Sequence, residues 1–519
     1  MPHDGPPLDR PYRVDALLSF GMANKPDEPV IVSRDVTLTW RALDEVSARL
    51  AANYLERGLR PGDRVASLMP NRAVLIVHYL ACMKAGLVSN PLNYRYTPPE
   101  IDHVLEATGA SMLVAHGERD GDIAACEKAG SLAQGVIRYV DNSGPGHDLG
   151  ALMEKEPAST ELPTVEPQNP CNIIFTSGST GLPKGVTHSF ETFGWALSSI
   201  AKGYEVTDRD VVLASMSLSH GGGVHVSFST LAAGGLIVVP YTTDADELLP
   251  LMREHRPTMM GMLPATLFRL IRHEDAKPSD FESLRFMLSG GDKVPRELEL
   301  EFKQLANFDI EEGYGATEVG LACYNRPGKA NRLGSVGTVN PGFSFSLRDD
   351  NGNEVKTGEI GKLWIKSPTV MIGYWNAPEA THQTKKEGWF DTGDMMRVDE
   401  DGYFWFEGRR KQIIVHDGSN VSPQEVEAAL LEHPAVGLAG VVGVRNLLHG
   451  ENVRAYITLK PGAEPPDDSE LIAFARQHVG YKAPEEIVVL DDMPLVGDGK
   501  VDRVLLKKWA AEEKDAHHG

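Results

Sequence analysis

The sequence is poor in cysteine and in positive charge. Its 519 residues include 4 cysteines, Cys82, Cys126, Cys171 and Cys323, and no two are close enough in sequence to predict a metal or redox pair. A disulfide framework is not expected in so long a chain, so we expect a reduced, cytoplasmic setting. Acidic residues outnumber lysine and arginine by 73 to 51, giving a formal net charge of -22. This balance disfavours nucleic acid as a partner, and any anionic ligand needs local donors.

Long apolar runs are absent as well. No stretch of about 18 apolar residues occurs, so no integral membrane segment is predicted. The longest candidate, residues 73–88, is interrupted by His78 and Lys84 and predicts a buried helix. The first residues lack the apolar core of a signal peptide, so no secretion signal is expected.

The first 300 residues alternate short apolar runs with helical patterns, which predicts parallel sheets covered on both faces. The predicted strands are Arg64–Met69, Ser111–Ala115, Val136–Val140, Asn172–Thr176, Val211–Ser215, Leu236–Pro240, Met259–Leu263 and Arg285–Ser289. From about Gly334 to Asp394, frequent glycines and short strands predict an antiparallel, barrel-like part. The fold class is therefore α/β.

The last 110 residues or so have the mixed α and β texture of a small domain. We predict a large domain over residues 1–407 and a small α+β domain over 408–519. In this second domain a helix is marked by Ser422 as N-cap, Pro423 at the first helical position and Glu425 as partner in a capping box, with Pro434 ending it.

The stretch "TSGSTGLPKG", 176–185, follows an apolar strand and is rich in glycine, hydroxyls and backbone donors. Such a loop can direct several N–H groups at phosphate oxygens, and its lysine adds a positive charge. It is not a Walker loop, because Leu182 and Pro183 separate Gly181 from Lys184. A polar surface loop is the bland alternative. The position directly after a buried strand favours a phosphate site.

This loop resembles the phosphate loop of the adenylate-forming superfamily, which includes acyl-CoA synthetases, peptide-synthetase adenylation domains and firefly-type luciferases. Four later motifs match that family in the same order. They are "GYGATE" (313–318), "GWFDTGD" (388–394), "GRRKQIIVHDGSNVSPQEVE" (408–427) and "GDGKVDR" (497–503). The resemblance implies two layered sheets and a barrel-like subdomain in the large domain, followed by a mobile lid domain.

The resemblance also implies the reaction and its ligands: a carboxylic acid, ATP with Mg²⁺, and coenzyme A as cosubstrate. The acid attacks the α-phosphate of ATP, and a thiol then displaces AMP from the acyl-adenylate. The residues implied in ATP or AMP binding are Thr176, Ser177, Gly178, Ser179, Thr180, Gly181, Lys184, Gly313, Tyr314, Gly315, Thr317, Asp394, Arg409 and Lys500. Tyr314 is implied to stack on adenine, and Glu318 and Thr180 are the implied magnesium ligands.

The implied roles in the second half of the chain depend on domain movement. Asp394 accepts bonds from the ribose hydroxyls, and Arg409 reaches the ribose or phosphate. Lys500 neutralises charge on the α-phosphate, while Lys411 is the hinge about which the lid rotates. Asp417 and Gly418 then lie on the coenzyme A side. An anion at 417 departs from many relatives and raises the alternative that acyl-AMP is passed to a separate partner.

The implied acyl pocket contains His220, Gly221, Gly222, Gly290 and Gly291, with His220 near the reacting carboxylate. No aspartate occurs between Ser217 and Phe228 to hold an α-ammonium group, so we expect a hydrophobic acid: fatty, aryl or polycyclic. A buried histidine is the alternative for His220, and the glycines alternatively mark a turn.

Each implied site residue also has an ordinary reading as a surface charge, a turn or a linker. A non-catalytic nucleotide-binding protein is therefore a second hypothesis, disfavoured because Lys184, Glu318, Asp394, Arg409 and Lys500 are all present. A luciferase-like oxygenase is a third, with no feature in its favour. A homodimer is left open.

Overall fold

The computed structural model describes residues 2–141, 148–176, 183–289, 294–326, 332, 334–409, 412, 414–416, 419–446, 450–496 and 500–516. Two compact units divide the chain. The large unit comprises Pro2–Phe345 and Ile365–Phe390, and the small unit comprises Ser346–Trp364 and Asp391–Gly519. The chain passes between them within three strands, Ser344–Arg348, Gly361–Lys366 and Trp389–Val398.

One sheet of the large unit contains nine strands of the described residues. In spatial order they are Thr338–Val339, Gly320–Tyr324, Glu311–Ala316, Phe286–Ser289, Met259–Met262, Val211–Leu213, Leu236–Val239, Pro29–Ser33 and Thr37–Thr39. The inner strands are parallel, and the antiparallel pairs lie toward the two edges.

A second sheet of this unit has seven strands in the described part of the chain. Their order is Gly373–Tyr374, Lys184–Ser189, Pro170–Thr176, Val88–Pro91, Arg64–Leu68, Met112–His116 and Val136–Tyr139. The last five are parallel, and the first two pair antiparallel. The predicted parallel sheets are confirmed, and each predicted strand is present with ends that differ by one or two residues.

Helices cover these sheets because their apolar faces need burial. Those of the large unit are Ser19–Asn24, Trp40–Glu56, Ala73–Lys84, Pro98–Thr108, Asp120–Ala124, Asp148–Glu154, Phe190–Gly203, Gly221–Ala233, Ala245–His255, Pro264–Ile271, Pro278–Phe281, Arg296–Ala306 and Pro378–Thr384. Residues 73–83 are all buried, which confirms the predicted buried helix. Its Tyr79 ring lies 6.2 Å from Phe228, which lies 6.4 Å from Phe193, so three helices share one core.

The small unit is built around a sheet of Ser419–Val421, Ile414–His416, Gly450–Leu459, Val436–Asn446 and Glu486–Val489. Its helices are Pro423–Leu431, Asp468–Val479 and Arg503–Ala516, and the antiparallel pair Trp389–Val398 and Phe404–Arg409 also contributes to it. The α/β class with a large and a small unit is thus as predicted. The boundary at 408 and the hinge stay predictions, and Lys411 lies outside the described residues.

The helix start at Ser422 is as predicted, with one difference. Ser422 Oγ accepts from the Glu425 N–H at 3.4 Å, and Pro423 is the first helical residue. The Glu425 carboxylate, expected to complete a capping box, accepts from Lys482 Nζ at 2.7 Å. The fold brings Lys482 close to Glu425, and this charged partner could not be predicted from the sequence around the helix start.

No helix in the described part of the chain is both long and apolar enough to cross a bilayer.

Candidate active site

In sequence, the glycine-rich stretch connects two strands that pair antiparallel with each other. Thr176, at the end of the first strand, is paired in register with Lys184. The two ends of the stretch are therefore adjacent, and Lys184 begins a strand. Gly185 is required by packing, because a Cβ there would lie 2.8 Å from Ile173 Cγ2. The predicted phosphate-binding residues Ser177, Gly178, Ser179, Thr180 and Gly181 lie outside the described residues, so their roles stay predictions.

A short strand, Gly373–Tyr374, runs beside the strand that Lys184 begins. The Ile372 N–H donates to the Thr187 carbonyl at 2.9 Å, and the Trp375 N–H donates to the Gly185 carbonyl at 2.7 Å. These bonds fix the backbone on both sides of Tyr374. The ammonium of Lys184 lies 5.3 Å from the centroid of the Tyr374 ring, within range of a cation–π contact.

The same tyrosine reaches the predicted magnesium ligand. The Tyr374 hydroxyl donates to Glu318 Oε1 at 2.9 Å, and the Met371 N–H donates to the Glu318 carbonyl at 2.7 Å. The structure thus brings Lys184 to the ring and Glu318 to the hydroxyl of one side chain. We call these three residues the Lys184–Tyr374–Glu318 cluster. Sequence reasoning missed Tyr374, whose only signal is an aromatic residue after a glycine.

Glu318 lies in the turn between the antiparallel strands Glu311–Ala316 and Gly320–Tyr324. Gly320 has a φ of 79°, a value that favours glycine, so the tight turn depends on it. The implied adenine-stacking residue, Tyr314, lies on the first of these strands and is buried, with a register shift between it and Gly315. One hairpin therefore carries Gly313, Tyr314, Gly315, Thr317 and Glu318.

A buried histidine anchors this turn to the strand after the glycine-rich stretch. His188 Nε2 lies 2.8 Å from the Thr317 carbonyl, and Nδ1 lies 3.2 Å from Thr192 Oγ1. Burial lowers the pKa of His188 to about 4, so the ring is neutral at pH 7. Because a carbonyl only accepts, Nε2 carries the proton and Nδ1 accepts from the Thr192 hydroxyl. His188 is a second residue that sequence reasoning missed.

Glu318 fits a magnesium ion by its chemistry. A carboxylate is the ligand type that Mg²⁺ prefers, and this one is partly exposed with one oxygen oriented by Tyr374. The second predicted ligand, Thr180, lies outside the described residues.

The remaining implied ATP residues belong to the small unit. Asp394 is buried and is paired in register with Arg409, whose Nε lies 3.2 Å from Asp394 Oδ1. The Asp394 N–H donates to Thr392 Oγ1 at 3.1 Å, and Gly393 before it has a φ of 73°. The side chain of Arg409 is half exposed. Asp394 and Arg409 are therefore neighbours, and their roles toward the nucleotide stay predictions.

Lys500 lies directly before Val501, which forms a bridge with Leu495, and the Lys500 carbonyl accepts from the Val496 N–H at 2.8 Å. Arg503, three residues on, ion-pairs with the buried Glu427 through Nε at 2.9 Å. Glu427 also accepts from the Val441 N–H at 2.7 Å. Arg503 therefore ties the end of the Lys500 segment to the core of the small unit.

In the acyl region, His220 is exposed and is the N-cap of the helix Gly221–Ala233. The alternative of a buried His220 is therefore wrong. The alternative of a mere turn is wrong as well, because the glycines begin a helix. A Cβ at Gly223 would lie 2.2 Å from the Ser217 carbonyl oxygen, so this glycine permits close approach of the chain.

Some predicted residues cannot be placed, because Gly290, Gly291, Lys411, Asp417 and Gly418 lie outside the described residues.

A third residue that sequence reasoning missed, Met216, lies beside the acyl region. Its side chain fills the space in front of Gly222, where a Cβ would lie 2.8 Å from Met216 Cε.

Comparison with known proteins defines the class. Residues 20–375 match the family model of the AMP-binding enzyme, and residues 425–500 match that of the AMP-binding enzyme C-terminal domain. The protein belongs to the AMP-binding enzyme family, which confirms the predicted superfamily and an enzyme of the AMP-forming class.

Similar proteins cover nearly the whole chain. A feruloyl-CoA synthase from Amycolatopsis is 33% identical over 468 residues, covering 89% of this chain and 92% of its own. An indoleacetate–CoA ligase from Aromatoleum aromaticum is 31% identical over 94% of this chain and 96% of its own. The crystal structure of ATP-bound MatB from Rhodopseudomonas palustris superposes with a TM-score of 0.88, at 27% identity, over 96% of this chain and 98% of that one.

Proposed function

We propose that the protein is an ATP-dependent carboxylic acid–CoA ligase that activates a hydrophobic acid as its acyl-adenylate. The Lys184–Tyr374–Glu318 cluster is the observation that carries this proposal. It places a cation and a carboxylate around one aromatic ring at the end of the glycine-rich stretch. A phosphate chain with its metal ion needs both charges close together. The relatives named as CoA ligases support the thiol as second substrate.

The reaction balances in two steps. A carboxylate oxygen of the acid bonds to the α-phosphorus of ATP, and the bond from that phosphorus to the bridging oxygen breaks, releasing pyrophosphate. The CoA sulfur then bonds to the acyl carbon, its proton passes to solvent or base, and AMP leaves with the oxygen that came from the acid. The mixed anhydride supplies the leaving group that a carboxylate lacks.

We propose the roles of the first half-reaction from the family motifs in which these residues lie. Ser177, Ser179, Thr180 and Lys184 hold the phosphates, Tyr314 stacks on adenine, and Asp394 and Arg409 bind the ribose. Glu318 and Thr180 would hold Mg²⁺, which when bound screens the negative charge of the phosphates. Tyr374 is a positioning residue, because it orients the Glu318 carboxylate.

The second half-reaction requires a rearrangement of the small domain. We propose that residues 408–519 act as the lid, with Lys411 as its hinge, Lys500 serving adenylation, and Asp417 and Gly418 on the CoA side after rotation. The division of the chain supports this assignment, since Lys500 and the glycine-rich stretch belong to different compact units.

The hydrophobic acid class is supported by the acyl region. Its described surroundings are mostly hydrocarbon, with Met216, Leu288 and Phe286 near the helix that follows His220. Both relatives above carry the names of aryl-acid ligases, so cinnamic and indoleacetic acids belong in the first panel. Fatty acids and polycyclic acids complete it.

Mass spectrometry of purified protein with ATP, Mg²⁺ and this panel, with and without CoA, tests the proposal. We expect acyl-CoA, AMP and pyrophosphate with one class of acid. Acyl-AMP that accumulates in the presence of CoA would favour transfer to a separate partner. In that case Asp417→Gly should raise the thioester yield sharply while leaving adenylation unchanged. Nucleotide binding without any acyl product would overturn the ligase.

A further inference from the structure

A small apolar cavity lies beside the acyl region, between the helix Gly221–Ala233 and the strands of the nine-stranded sheet. Its volume of about 10 Å³ is close to the room needed by one water molecule. The lining residues come from the helix, from three neighbouring parallel strands and from the segment that follows one of them. They are Val212, Leu213, Ala214, Met216, Gly223, Val226, Ser227, Met259, Met260, Gly261, Phe286 and Leu288.

Met216 forms the wall of this cavity nearest the acyl region. Its thioether lies between two glycines, because a Cβ at Gly222 would be 2.8 Å from Met216 Cε and a Cβ at Gly261 would be 2.8 Å from Sδ. Met216 is partly exposed, whereas the strand residues behind it are buried. The thioether therefore lies between Gly222, a residue of the implied acyl pocket, and the strand residues that line the cavity.

Three hydrogen bonds from one side chain hold the backbone around Met216. Asn71 Nδ2 donates to the carbonyls of Ala214 at 3.1 Å and Met216 at 2.9 Å, and Asn71 Oδ1 accepts from the Leu218 N–H at 2.8 Å. Methionine is unbranched with three rotatable bonds, so its end can move without displacing the chain. A fixed backbone with an adaptable tip is suited to defining the end of a pocket.

We propose that Met216 sets the depth of the acyl pocket, so that the far end of the acid is a hydrocarbon group that stops against this thioether. This inference rests on the proposed ligase function and adds the property of the acid that the site selects. Removal of the Met216 side chain beyond Cβ would join the cavity to the pocket and admit a longer acid. The hydrocarbon lining would disfavour an acid with a second carboxylate at its far end.

The test compares Met216→Ala, Met216→Phe and the conservative Met216→Leu with the wild type. Substrates are homologous series of linear fatty acids and 4-alkylbenzoic acids, with a dicarboxylic acid added. The readout is kcat/KM for acid-dependent pyrophosphate release, split into kcat and KM. One methylene in an apolar pocket changes kcat/KM by about 10-fold or more. The kcat/KM values of acids that differ by one carbon should therefore shift relative to each other by at least this ratio.

We expect Met216→Ala to prefer longer acids, Met216→Phe to prefer shorter ones, and Met216→Leu to keep the wild-type order. Gly222→Ala, whose methyl group would push against Met216 Cε, should also shorten the preferred acid. Met252→Ala removes a buried methionine away from this cavity and serves as the control, with an unchanged order of acids.

The outcomes separate the two proposals. A wild-type enzyme that activates acids while all Met216 and Gly222 variants keep its order of preference would overturn the role of Met216. A wild-type enzyme that activates no acid would overturn the ligase function, and the pocket depth with it. If Met216→Ala melts far below the wild type, Met216→Phe and Gly222→Ala decide.

Discussion

The hydroxyl of Tyr374 donates a hydrogen bond to Glu318 Oε1 at 2.9 Å, across 56 residues of sequence. The ring of the same tyrosine lies beside the Lys184 ammonium. One side chain thus faces both charges that the phosphates and their metal ion require. Its removal tests whether the cluster is functional or only structural.

We predict that Tyr374→Phe lowers kcat/KM for ATP about 10-fold in pyrophosphate release, equivalent to about 1.4 kcal/mol. The phenylalanine ring keeps the contact with Lys184, so the change isolates the bond to Glu318. Hydrogen bonds to charged groups contribute about 1.5–3 kcal/mol, and partial exposure of Glu318 reduces this value. The variant should also require more Mg²⁺ for half-maximal rate.

Tyr94 provides a matched control. Its hydroxyl donates to Glu118 Oε2 at 2.8 Å, a bond of the same type made by residues to which we assign no role in the reaction. Tyr94→Phe should leave the kinetic constants and the Mg²⁺ requirement as they are. Equal losses in both variants would show that the cluster contributes only to stability.

Lys500→Ala should separate the two half-reactions. We expect at least a 10²-fold loss of acid-dependent pyrophosphate release, since a positive charge aimed at a developing negative charge contributes on this scale. Thioester formation from supplied acyl-AMP should be spared. Lys507→Ala, a lysine of the same unit that pairs with Glu451 at 3.3 Å, is the control. A comparable loss in both half-reactions would remove Lys500 from the adenylation step.

Asp394→Asn tests the ribose contact. The amide keeps the size of the side chain but weakens its acceptor, so we expect KM for ATP to rise about 10-fold, a change of about 1.4 kcal/mol. The measurement compares ATP with 2′-deoxy-ATP. The wild type should discriminate between the two nucleotides more strongly than the variant does. Identical discrimination would mean that Asp394 only holds Arg409.

Glu311→Gln tests a buried acid next to the nucleotide motif. Burial raises the pKa of Glu311 to about 8, although the Met287 N–H, which donates to Oε2 at 2.9 Å, acts in the opposite direction. Between its ordinary pKa of 4.5 and about 8, the folded chain holds a proton that the unfolded chain has lost. The free energy of unfolding therefore falls as the pH rises through this window. The uncharged glutamine should become increasingly more stable than the wild type, measured by urea unfolding at several pH values.

Glu301 is the control with the opposite sign. The Arg272 side chain lowers the pKa of Glu301, so its contribution to stability is present above pH 4.5 and is lost as the pH falls. Glu301→Gln should therefore be less stable than the wild type at neutral pH and should approach it in acid. If the Glu311→Gln variant became less stable than the wild type as the pH rises toward 8, this result would contradict the account of a buried neutral acid.

Those parts of the fold that depend on neighbouring residues in the sequence could be predicted from it. Continuous apolar runs such as Met259–Met262 predicted parallel strands, because strands buried on both faces have no polar side. Ser422 and Pro423 marked a helix start that the structure confirms. The carboxylate of Glu425 was assigned wrongly, since its partner Lys482 lies 57 residues further along the chain.

The candidate site could be predicted only in part, because some of its contacts join residues that are distant in sequence. Motifs pointed to Lys184, Glu318, Asp394 and Arg409, but nothing local announced that Tyr374 connects the first two. The role of Met216 depends on how a helix packs over three strands, which is a property of tertiary structure. Residues that act through distant neighbours leave little trace in a single sequence.

Transfer of oxygen-18 tests the central claim most directly. The acid that gives the highest rate in the panel is labelled in its carboxylate and incubated with the enzyme, ATP, Mg²⁺ and CoA. The account predicts one labelled oxygen in AMP and none in pyrophosphate, because the acid attacks the α-phosphorus and its oxygen stays with AMP when the thiol displaces it. Label in inorganic phosphate together with ADP, or acyl-CoA formed with unlabelled AMP, would contradict an acyl-adenylate intermediate.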